Sequence, residues 1–264
     1  MSTVAPASPV PAPVHARHPG LRSLGTMVVS EAKMVRRDLA GMITPLGLPL
    51  LILLTSAGST ADVEVGEGFT ALDIGVLPIM LMMVLTMIGV LNMPSFLAYY
   101  RRSGVLKRLS ATPASPLMVL AAQVIVSVLQ SVLGIGLALG FTAAVFGLNP
   151  PAHLGTALGV LGLSAAAMYA LGMVVAAISP TPNSAVAIGL VGFLGLGALG
   201  GMFGGRDALP ETVARIGDHL PFGAGVQALQ QAWLGLPLEA APLLSLVAAV
   251  VVGVVVSALF FRWE

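Results

Sequence analysis

Gln123, Ser127 and Gln130 lie at i, i+4 and i+7 within an uncharged apolar run, so a helix there carries them as one stripe. Amides and hydroxyls exchange hydrogen bonds; they do not attack substrates unaided. With Asn92 of the preceding apolar run, the stripe offers one of two things. It can line a path for a passing molecule, or it can bond helices together at about 1 kcal/mol or less per contact. Groups for covalent chemistry are scarcer. His15 and His18 stand in a Pro-rich stretch, His153 and His219 in separate segments, and no pair has metal-ligand spacing on one element. A phosphate-cradling loop requires Gly-Lys-Ser/Thr, whereas Lys33 follows Ala32 and Lys107 follows Leu106. Without cysteine there is no disulfide, thiolate ligand or thiol nucleophile. The sequence therefore predicts no catalytic, cofactor-binding or metal site. Any ATP-driven action must draw its energy from another chain.

A second concentration is electrostatic. The stretch YYRRSGVLKRLSATPASP, 99–116, holds four of the twelve Lys/Arg residues, Arg101, Arg102, Lys107 and Arg108, between two long apolar runs. Ser103 can cap a short helix whose Val105, Leu106 and Leu109 make an apolar row, and Pro113 stops it. Ser115-Pro116 then starts the next run, so movement of the short helix passes directly into it. Basic residues alone fix topology. An apolar row bracketed by proline predicts, in addition, a surface held by another protein.

The elements that position these groups follow from composition. Hydrophobic residues make up 57% of the 264 and charged residues 9%, against roughly 25% charged in soluble domains, so most of the chain must face lipid. Six stretches are apolar over the 20 or so residues that a membrane helix needs: 39–57, 72–93, 117–146, 154–178, 184–204 and 241–261. No ten-residue alternation suggests a β-barrel. The expected fold is an all-α polytopic membrane protein, one transmembrane domain over 21–264 behind a disordered Pro/Ala-rich tail at 1–20 that lacks a signal-peptide core. With six spans, ten of the twelve basic residues fall on one side and only Arg206 and Arg215 on the other, which predicts cytoplasmic termini. Before the first span, Leu21, Leu24, Val28 and Val35 share a helical face, with Arg22, Lys33, Arg36 and Arg37 off it, as in an amphipathic helix at the interface. Asp73, at the outer mouth of the second span, is the sole acid inside a predicted span, which disfavours a proton-coupled carrier.

Pro45, Pro49 and Pro78 should kink the first two spans, leaving carbonyls for neighbouring helices to satisfy. Gly197, Gly201 and Gly205, and again Gly155 and Gly159, recur at four-residue steps, a pattern for close helix packing or self-association. The segment 206–237 is too polar to span and reads as short helices lying at, or dipping into, the outer leaflet.

These features together resemble the permease subunits of type-2 ABC exporters, most nearly the daunorubicin-resistance type of high-GC Gram-positive bacteria. The stretches YYRRSGVLKRLSATPASPLMVL and LGALGGMFGGRDALPETVARIGDHLPFGAGVQAL carry the resemblance, which extends over nearly the whole chain beyond the tail. Many relatives place a proline just after the Gly-Gly stretch, where this chain has Gly204, Gly205 and Arg206. The resemblance implies a coupling helix at 101–113 docking on an ABC ATPase subunit present in two copies, with ATP and Mg bound there and none by this chain. It also implies a second permease chain, a bacterial cell membrane and no nucleic acid. The expected function is export of a hydrophobic or amphipathic substrate, a drug, antibiotic or lipid-like molecule. A non-transporting scaffold or immunity factor is the rival reading, with an ion-coupled carrier less favoured.

Overall fold

The computed structural model describes residues 20–66, 68–104 and 116–260, so the tail before Gly20, most of the basic loop and Arg262 lie outside the described residues. Helix α1 (Leu21–Arg37) leads through Asp38 into α2 (Leu39–Thr60). A small antiparallel hairpin, β1 (Glu64–Gly66) and β2 (Phe69–Thr70), precedes α3, which is helical throughout Leu72–Arg102. There follow α4 (Pro116–Val145), α5 (Leu154–Ile178), α6 (Pro182–Leu199), α7 (Glu211–His219), α8 (Pro221–Leu234) and α9 (Ala240–Phe260). Six of these helices, α2 to α6 and α9, are long and apolar enough to cross a membrane. The chain is an all-α polytopic membrane protein, as expected. Two boundaries differ from the expected ones by more than three residues: α3 continues past residue 93 to Arg102, and α6 stops at Leu199 rather than 204.

The second span is the axis of the bundle. Leu77, Met80, Leu81, Met82 and Ile88 are wholly buried, and α2, α4, α5, α6 and α8 all pack against α3. By contrast α2, α4, α6 and α9 expose rows of large apolar side chains such as Leu51, Leu129, Val191 and Val251, the surface that lipid or a partner helix must cover. Close approach to α3 is made possible by glycine. A methyl built on Gly172 of α5 would overlap the carbonyl oxygen of Gly89, and one on Gly189 of α6 would stand 2.6 Å from that of Val90. Gly155 and Gly159 serve no such contact: both are exposed, with nothing within 4 Å of an added Cβ.

The segment after α6 re-enters the bundle instead of lying flat. Phe222 and Trp233 of α8 are enclosed, and its first turn meets Met82 and Ser164 through Gly225. Ser164 lies ten residues into α5, about 15 Å along its axis, so α8 starts deep between the spans. It ends where the Trp233 indole N–H donates to the Asn149 carbonyl at 3.0 Å.

At that same end, which carries most of the acids, Asp73 is fully buried. Its carboxylate accepts from the Thr70 N–H and hydroxyl at 2.9 Å each, and from the Asn149 side-chain amide at 2.8 Å. One side chain thus ties the hairpin, the start of α3 and the α4–α5 connection together. Asp73→Ala strands buried donors, and we expect it to cost about 2–3 kcal/mol, read as a lowered unfolding midpoint in detergent. Retention of the parent midpoint would show that the staple is not structural.

Candidate functional site

The polar residues inside the spans are organised by proline. Pro45 has no N–H to return to the carbonyl of Gly41, four residues earlier, so that oxygen lacks its helical partner. Two side chains from other helices supply donors: the Asn92 amide of α3 and the Gln130 amide of α4, the latter at 2.8 Å. Pro78 does the same to the Ile74 carbonyl, which accepts from the Gln230 amide of α8 at 2.9 Å. A π-helical turn at Leu72–Val76 adjoins Pro78.

Asn92, Gln123, Ser127 and Gln130, the four candidate path residues, are all buried in the chain. Asn92 and Gln130 converge on one carbonyl and tie α2, α3 and α4 together. Gln123 is buried with its side-chain oxygen unbonded, and Ser127 lies one turn along the same face of α4. A further inter-span bond, missed from the sequence, joins Ser131 of α4 to Tyr169 of α5 at 2.7 Å.

At the opposite end from Asp73, α3 finishes among basic residues. The Arg101 guanidinium donates to the Ala176 carbonyl in the last turn of α5, where the helix dipole favours a cation. Arg102 is exposed. The other coupling candidates, Val105, Leu106, Lys107, Arg108, Leu109 and Pro113, lie outside the described residues. Next to Arg101, the Tyr100 hydroxyl donates to the Glu31 carboxylate at 2.6 Å, and Met27 and Met34 of α1 pack on Tyr100 and Val119. Burial pushes the Glu31 carboxyl above its ordinary range, and the Tyr100 bond offsets part of that. The inward row of α1 is therefore Leu24, Val28, Glu31 and Val35, whereas Leu21, expected on that row, is exposed. The spacing of Glu31 from Val28 and Val35 was the signal for its burial.

Gly197, Gly201 and Gly205 do not share one helix face. Only Gly197 lies in α6, where Met202 folds back on it; Gly201 and Gly205 follow the helix end at φ of 84° and 82°. That left-handed backbone favours glycine and turns the chain toward a short 3₁₀ turn at Arg206–Ala208. Arg206 there pairs with Asp218 at 2.9 Å, and Arg215 with Glu211 at 2.9 Å.

Two of the cavities between the helices adjoin these groups. One of about 670 Å³ lies at the acidic end between α2, the start of α3 and the α6–α8 segment; Thr55, Ser59, Gln227, Gln230 and Asp207 are among its lining. The other, about 770 Å³, is an almost wholly apolar groove between α4, α5 and α9, with Ser131 and Tyr169 its only hydroxyls.

This arrangement is a bundle of apolar spans, two of them carrying internal prolines, with a basic terminus on its central helix. The sequence matches the profile of the ABC-2 type transporter over residues 22–234, which takes in α1 through α8, and the chain belongs to that family. It is accordingly the membrane-spanning permease component of an ABC transporter. Comparison with individual curated proteins gave no match.

Proposed function

We propose that the chain forms, with a second permease chain, the route by which an ATP-driven exporter of the daunorubicin-resistance type moves a hydrophobic or amphipathic substrate out of a bacterial cell. The basic end then faces the cytoplasm, and both termini with it. Two copies of an ABC ATPase bind ATP and Mg there, and each grips the 101–113 segment through Val105, Leu106 and Leu109, ringed by Arg101, Arg102, Lys107 and Arg108. The carrying observation is the continuity of α3. A single helix runs from that segment through the centre of the bundle, touching six others, α1 among them, so a displacement at Arg102 reaches every span it packs against. Gln123 and Ser127 border the route on α4, and the mixed cavity at the acidic end receives substrate before release.

The test is co-purification with an ATPase partner, then substrate-stimulated ATP hydrolysis in proteoliposomes. Leu106→Asp with Leu109→Asp should lower stimulated hydrolysis by at least about tenfold, as loss of an apolar docking row removes several kcal/mol of contact, while membrane insertion is unchanged. Undiminished transport by the double variant would sink the coupling role. A chain that purifies without any ATPase, and whose flux survives ATP depletion, would sink the exporter reading itself.

A further inference from the structure

Arg22, Lys33, Arg36 and Arg37 are all exposed on α1. At about 100° of rotation per residue they fall within an arc of roughly 100°. The helix's one acid, Glu31, is turned to the opposite side and buried on Tyr100. Four cations and no anion therefore face away from the bundle. Along one edge of the arc, Leu21 and Val29 are 87% and 52% exposed, an apolar margin that no element of the chain covers among the described residues. Along the other, Thr26 and Ser30 turn their hydroxyls back onto the helix's own carbonyls. Only Asp38 separates α1 from the first span, which keeps the helix at the mouth of the bundle. A basic arc beside an apolar margin at that level is complementary to an anionic leaflet: cations meet the phosphates while Leu21 and Val29 reach the acyl boundary.

We propose that α1 docks on anionic lipid headgroups through Arg22, Lys33, Arg36 and Arg37, and that the Glu31–Tyr100 bond passes its position to the basic end of α3. The transmission is short. Tyr100 adjoins Arg101, and Met27 and Met34 pack around the same ring, so α1 cannot rise or settle without moving the last turn of α3. The inference rests on the exporter reading only in taking this end to be cytoplasmic. A partner protein on the same arc would need an acidic face.

The chain has no cysteine, so single substitutions give unambiguous reporters. Val29→Cys, carrying an environment-sensitive dye, reports docking of α1, and Ser103→Cys reports the end of α3. The purified full chain is placed in vesicles of phosphatidylcholine alone, or of two parts phosphatidylcholine to one of phosphatidylglycerol. Both labels should respond to phosphatidylglycerol, with the label at position 29 becoming accessible to a lipid-borne quencher. Each Lys/Arg→Gln change on the arc should lower the docked-to-free ratio roughly fivefold, and all four together should abolish the response. Tyr100→Phe keeps the aromatic packing and should silence the label at 103 while leaving the one at 29 responsive. Identical behaviour in the two vesicle types, or a fourfold-substituted variant that responds like the parent, overturns the lipid docking. A Tyr100→Phe variant with both responses intact overturns the transmission. Shielding of position 29 that needs ATPase-bearing membranes, whatever their lipid charge, assigns the arc to a protein and overturns the proposal. No readout involves transport, so its failure is separable from failure of the exporter reading.

Discussion

Gly172→Ala should destabilise the bundle strongly, although it adds a single methyl group. That methyl lands on the Gly89 carbonyl oxygen of α3, and the reciprocal methyl on Gly89 would stand 2.8 Å from the Met168 carbonyl carbon. Backbone cannot rotate out of the way as a side chain can, so α3 and α5 have to separate along their contact. The expected cost is at the top of the overpacking range, about 3 kcal/mol, out of a total stability of about 5–15 kcal/mol. The check is the unfolding midpoint and monodispersity in detergent beside Gly159→Ala. That control sits on the same helix with nothing within 4 Å of its added Cβ, and should be neutral or slightly stabilising through helix propensity. Equal behaviour of the two variants would mean that α3 and α5 are not in backbone contact.

The second large effect is a dependence on context. Asn92→Leu with Gln130→Met roughly preserves volume but removes both donors from the Gly41 carbonyl, and a buried acceptor left unbonded costs about 1–3 kcal/mol. Either change alone leaves one donor in place and should cost well under half of that. The decisive comparison is in a Pro45→Ala background. Alanine restores the N–H that an α-helix returns to residue 41, so the double substitution should become nearly silent there. Paired unfolding measurements on the four chains give the coupling directly. A double variant equally damaging with and without Pro45 would show that the amides hold something other than the proline-freed carbonyl.

How much of this could be read in advance depended on whether the signal was local. The six spans followed from hydropathy, because lipid-facing and core-facing residues alike must be apolar. For the same reason nothing along 72–102 marked α3 as the centre: a helix apolar on all sides looks the same whether lipid or protein surrounds it. The run 184–204 reads as one apolar span, yet Gly201 at φ 84° lies beyond the end of α6, and no hydropathy scale registers that. Pro45 and Pro78 announced freed carbonyls. The partners that satisfy them come from distant helices, and only the tertiary arrangement brings Asn92, Gln130 and Gln230 there. Asp73 stood out as an isolated acid, but the Asn149 and Thr70 donors that justify its burial belong to loops with no periodicity to read.

The proline clasp also sets an order of events during synthesis. As the chain leaves the ribosome, Gly41 enters the membrane 51 residues ahead of Asn92 and 89 ahead of Gln130. Ile74 precedes Gln230 by 156. The first two spans are therefore inserted as incomplete helices, each with a carbonyl that translation has not yet supplied with a donor. The first span's carbonyl is supplied as the second and third spans arrive, whereas the second span waits for α8, so it is completed later than the span inserted before it.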